Sequence, residues 1–91
     1  MEQIGNTLKR TVGNNITKFR KEAKIRQEEL AERVGITSST LSKIENGEGN
    51  VKLNTLEKIA EELQVRVVDL MYEDDVLVLS KNLLKKLEKN S

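Results

Sequence analysis

Apolar residues recur along this chain at helical rather than strand spacing. Ile4, Leu8, Val12 and Ile16 fall four apart, and the row continues to Phe19 and Ala23, as one face of a helix requires. The pattern predicts a continuous helix from about Asn6, a candidate N-cap, to Ala23. Gly13, Asn14 and Asn15 are poor helix formers within it and also allow two separate helices. A second helix is expected at residues 27–34, with Gln27, Glu28 and Glu29 in a first turn that favours acids, and Gly35 ends it. Thr37 offers a side-chain oxygen to cap a third helix at 38–46, which Gly47 stops. After a loop at 48–52, Leu53, Leu56, Ile59, Ala60 and Leu63 define a fourth helix, and Val67, Leu70 and Met71 a short fifth. The acids at 73–75 mark the expected end of the globular core.

Beyond them the pattern becomes ambiguous. Residues 76–79 form a four-residue apolar run that suits a strand or a helix, and Leu83, Leu84 and Leu87 stand among lysines at amphipathic spacing. The core is expected to be complete without this segment, so its stripe needs a partner. A symmetric dimer contact through Val76, Leu79, Leu83 and Leu87 is the leading candidate; folding back onto the same domain is the alternative. Three regions follow: an N-terminal helical extension (1–11), a central domain (12–72) and a C-terminal extension (73–91).

Composition narrows the chemistry. The chain has 91 residues, enough for one modest core, and 2% aromatic content with no Pro favours an all-α domain packed from Leu, Ile, Val and Ala. Without Cys there is no disulfide and no thiolate metal site; without His the usual zinc ligand and the commonest general base are missing. No cofactor or metal is expected, and catalysis is the least favoured class. No apolar run approaches the ~20 residues that span a bilayer and no signal peptide opens the chain, so the expected setting is cytoplasmic. The net charge of +1 divides into +3 over residues 1–47 and −2 over 48–91, which places the positive side in the half of the chain that holds the first three helices.

Residues 27–47, QEELAERVGITSSTLSKIENG, hold the densest signal. Two short amphipathic helices meet at Gly35, with small Ala31 where they approach and Leu30, Val34, Ile36, Leu41 and Ile44 as anchors. That is the pattern of a helix-turn-helix, whose second helix lies in a DNA major groove. From Val12 to Met71 the chain resembles the lambda/434 repressor-like, or Xre-type, family of transcriptional regulators. The resemblance rests on Arg20, the Gln-Glu-Glu-Leu-Ala run at 27–31, Gly35, Ser42, Ile44-Glu45-Asn46-Gly47, and Thr55-Leu56 leading to Ile59-Ala60. It implies a five-helix DNA-binding domain that occupies operators, usually as a dimer.

Carried over by position, the resemblance makes Ser38, Ser39 and Lys43 base-contacting residues. Lys43 is suited to guanine O6 or N7, a contact worth ~1–3 kcal/mol of discrimination. It assigns Gln27 to a phosphate at the start of the second helix, and Thr40, Ser42, Asn46, Asn50 and Lys52 to the DNA backbone. Arg20 and Glu45 are implied as a buried ion pair that holds the recognition helix. Departures from the family pattern concern stability. Lys24 stands where a left-handed Gly is frequent, at a cost of roughly 1 kcal/mol. Arg26 replaces a Ser or Thr cap, forfeiting about 0.5–2 kcal/mol unless it reaches a phosphate instead. Val51 stands where Pro is common, and Lys52 where Ser caps the fourth helix. The expected function is a repressor acting as a homodimer on a palindromic operator, with half-sites ~34 Å apart. A protein-interaction module, such as an antitoxin or an antirepressor-binding component, is the alternative.

Overall fold

A computed structural model describes residues 2–72, with side chains from residue 7 onward. Among the described residues five helices occur and no strand: α1 (Glu2–Glu22), α2 (Gln27–Val34), α3 (Ser38–Glu45), α4 (Leu53–Leu63) and α5 (Val67–Met71). Residues 73–91, with the expected dimer contacts Val76, Leu79, Leu83 and Leu87, lie outside the described residues.

The core is assembled from one stripe of each helix. Val12 and Ile16 of α1 meet Leu30, Ala31 and Val34 of α2, Leu41 and Ile44 of α3, Leu56, Ile59, Ala60 and Leu63 of α4, and Leu70 of α5. Phe19, Ile25, Ile36, Val51, Val65 and Val67 pack around them, half-buried. The first helix extends further than its pattern suggests. It begins at Glu2 and runs through Asn6, which is therefore an interior residue and not the N-cap. Nothing between Asn6 and Leu8 interrupts the helical row.

The weak helix formers at the centre of α1 have structural uses that explain why they do not divide it. A Cβ at Gly13 would lie 2.5 Å from the Ile44 carbonyl oxygen and 2.6 Å from that of Glu45, so only glycine lets α1 cross the end of α3 so closely. Asn15 is buried, and its side-chain amide donates to the carbonyls of Leu70 at 3.0 Å and Tyr72 at 2.7 Å. It thereby satisfies backbone acceptors that the short α5 leaves open at its end. At the start of α5 the Arg66 backbone N–H donates to the Asp69 carboxylate at 2.8 Å, and the Arg66 guanidinium donates to it as well. That guanidinium first, and the backbone N–H second, hold the Asp69 carboxyl below its ordinary range.

Four helices end in one motif. Ile25, Ile36, Glu48 and Val65 donate their N–H to the carbonyls of Arg20, Ala31, Lys43 and Ala60, five residues back, at 2.8–3.1 Å. The residue before each is left-handed: Lys24 (φ 59°), Gly35 (φ 88°), Gly47 (φ 76°) and Gln64 (φ 58°). This is the Schellman ending, in which a positive φ turns two orphan carbonyls back toward the chain. Glycine occupies two of the four positions; Lys24 and Gln64 adopt the strained conformation with a Cβ.

Replacing Lys24 or Gln64 with Gly should therefore stabilise the protein by about 0.5–1 kcal/mol each, and nearly additively, since the two sites share no partner. Gly35→Ala should destabilise by about 1 kcal/mol through backbone strain alone, because no atom lies within 4 Å of the added methyl. Urea midpoints of the three variants measure this; a Lys24→Gly variant less stable than the parent would refute it.

Candidate nucleic-acid interface

The α2–turn–α3 unit presents the polar side chains singled out from the sequence. Gly35 N–H reaches the Ala31 carbonyl at 2.9 Å and that of Glu32 at 3.2 Å, closing α2 before Thr37 opens α3. The Thr37 hydroxyl accepts the Thr40 N–H at 3.0 Å and donates its own proton to the Thr40 hydroxyl at 2.9 Å. The first turn of α3 contains no acid, so its positive end is available to an anion.

Helical geometry sorts the residues of α3. Leu41, Ile44 and Glu45 are buried. Ser39, Lys43 and Asn46, spaced by four and three, share the opposite face, and all three are exposed. Ser38 and Thr40 are exposed in the first turn beside that stripe, whereas Ser42 is half-buried on its flank. At the start of α2, Gln27 is half-buried and Arg26 is exposed in the N-cap position with no side-chain capping bond. Asn50 and Lys52 are exposed in and after the α3–α4 loop, and Lys52 likewise makes no cap for α4.

Behind the exposed stripe α3 is clamped. Arg20 Nε donates to Glu45 Oε2 at 2.9 Å and its Nη2 to Oε1 at 3.0 Å, while Nη1 reaches the Ile25 carbonyl at 3.0 Å. The side chains are 12% and 5% exposed. Thr17 completes the cluster, its hydroxyl 3.0 Å from both Glu45 Oε1 and the Gly13 carbonyl, so one proton is shared between two acceptors. Thr17 was not among the residues marked from the sequence, and Gly13 was marked only as a poor helix former. The signal for Thr17 was its position three residues before Arg20 on the same helical face.

Comparison with known proteins agrees with this geometry. A helix-turn-helix family model, HTH_3, matches residues 16–70. The chain is 37% identical over 67 residues to the immunity repressor protein of Bacillus phage phi105, covering 74% of this chain and 46% of the repressor. It is 36% identical over 66 residues to the antitoxin PezA of Streptococcus pneumoniae, covering 72% of this chain and 42% of PezA. The chain thus spans less than half the length of these two relatives. A hypothetical transcription factor, NHTF from Neisseria, superposes with a TM-score of 0.74 at 28% identity, covering 78% of this chain and 82% of that one. SinR, described as the master regulator for biofilm formation and solved in complex with DNA, superposes with a TM-score of 0.63 at 39% identity. There the match covers 67% of this chain and 98% of that one.

The buried cluster yields a test independent of any ligand. Glu45→Ala should destabilise by about 3–5 kcal/mol, because Arg20 is left charged and unpaired. Arg20→Met combined with Glu45→Leu should cost far less than the two single changes summed. Urea unfolding of the parent, Arg20→Met, Glu45→Leu and the double variant gives the coupling; additive losses would show that the pair does not act as a unit.

Proposed function

This chain belongs to the helix-turn-helix HTH_3 family of DNA-binding transcriptional regulators, and from that premise we propose that it is a sequence-specific repressor acting as a homodimer on a palindromic operator. The observation that carries the reading is the exposed stripe Ser39–Lys43–Asn46 on a helix whose other side is locked by Glu45. A reading helix needs such a fixed back, because discrimination between bases depends on donors held in place.

In this reading Ser38, Ser39 and Lys43 face base edges. Lys43 supplies the strongest direct contact, and the serines read loosely or through water. Gln27 and Arg26 hold a phosphate at the start of α2; the missing capping bond of Arg26 leaves its guanidinium to that role. Thr40, Ser42, Asn46, Asn50 and Lys52 follow the backbone. Two copies set their third helices in successive major grooves ~34 Å apart. With few direct base contacts, operator shape and half-site spacing carry part of the specificity. Support comes from the likeness to SinR, solved with DNA, and to a phage immunity repressor. No helix among the described residues is long and apolar enough to cross a membrane.

The likeness to PezA, an antitoxin, supports a second reading in which the chain neutralises a protein partner through residues outside the described region. The two separate cleanly: Lys43→Ala weakens operator binding but leaves such a partner bound.

Selection of duplexes from a random pool, followed by anisotropy titration at two salt concentrations, tests the proposal. Lys43→Ala should cut the preference for the selected palindrome over a scrambled duplex by about 5- to 100-fold. Gln27→Ala should weaken both duplexes by one common factor, and affinity should fall steeply with salt. Equal affinity for palindrome and scramble at physiological salt would defeat the reading.

A further inference from the structure

An apolar groove of about 340 Å3 opens between α1, the α3–α4 loop, the start of α4 and the end of α5, walled chiefly by Leu8, Val12, Val51, Leu53, Leu56 and Met71. Leu53 is 67% exposed, Leu8 42% and Met71 38%. Single exposed leucines are ordinary, but three large apolar side chains from three elements converging on one opening are not.

We propose that the chain's own C-terminal segment, residues 76–87, lies in this groove. Met71 is both part of the groove wall and the last residue of α5, so the chain leaves the described domain at the groove's rim. Val76 is four residues beyond Tyr72, a reach of up to about 14 Å. The residues between, Glu73-Asp74-Asp75, contain two turn formers, and Lys9 lines the groove. The segment carries what the groove lacks: an apolar run at 76–79, then Leu83, Leu84 and Leu87 in a stripe flanked by Lys81, Lys85 and Lys86. A short tether raises its local concentration to the millimolar range, which a second copy at ordinary concentrations does not match. The leucines that the sequence pattern assigned to a dimer contact thereby gain a partner within their own chain. Gly47, Gly49 and Asn50 also line the groove, so the docked segment braces the loop that carries Asn50.

The absence of native cysteine makes the test direct. In the full chain, Leu53→Cys places one thiol on the rim. Its reaction with a bulky maleimide should be at least tenfold slower than in the same protein carrying Leu83→Asp and Leu87→Asp, and the protection should not change over a hundredfold range of protein concentration. Oxidation of Leu53→Cys paired with Leu83→Cys, Leu84→Cys or Leu87→Cys should give an intrachain disulfide on a monomeric mass for at least one pair. Mixed single-cysteine variants should give no cross-linked dimer. Equal labelling rates would show an open groove. Protection that rises with concentration, or cross-linking in the mixture, would assign the groove to a second copy. Either result overturns the proposal, whereas the operator reading stands or falls on the duplex titrations.

Discussion

The geometry of α3 depends on one carboxylate. Glu45 stands in the last turn of its helix, where the dipole disfavours an anion, and it is nearly buried, which disfavours it further. Arg20 and Thr17 reverse both penalties by occupying the two carboxylate oxygens. The guanidinium then uses its remaining nitrogen on the Ile25 carbonyl, just past the end of α1. One side chain thus joins the first helix, the joint that follows it and the far end of the third. The arrangement fixes the direction of α3 more than it adds net stability, since a buried pair does little better than apolar packing but is costly to break singly.

Most of the fold could be read before any coordinates. Helical spacing located α2, α4 and α5, and Thr37, Gly35 and Gly47 marked boundaries through capping chemistry that acts over a few residues. The unread parts share a cause: their partners are far away in sequence. Asn15 within a helical row looks like a weakness until the carbonyls of residues 70 and 72 are beside it. Gly13 likewise looks like a breaker until the end of α3 crosses it. Gln64 carries no signature of a left-handed residue, and only its hydrogen-bonded surroundings impose one. Periodicity also treats Leu8 and Leu53 like any core leucine, because a groove and a core have the same spacing.

The candidate site was legible to a different depth. That Ser39, Lys43 and Asn46 share a stripe follows from 3.6 residues per turn. The pairing of Arg20 with Glu45, 25 residues apart, does not follow from any period and entered through resemblance to a family. The difference between exposed Ser39 and half-buried Ser42 needed the packed structure. So did the contact between the Thr37 and Thr40 hydroxyls at the start of α3.

Asn15 also has an architectural consequence. By gripping the carbonyls of Leu70 and Tyr72 from the middle of α1, it anchors the exit of the described chain to the longest helix. The domain is therefore a mount with a set bearing. A sequence grafted after Tyr72 would start from the same point and aim relative to α3, whatever its composition, and replacing this one amide with an aliphatic side chain would loosen the bearing.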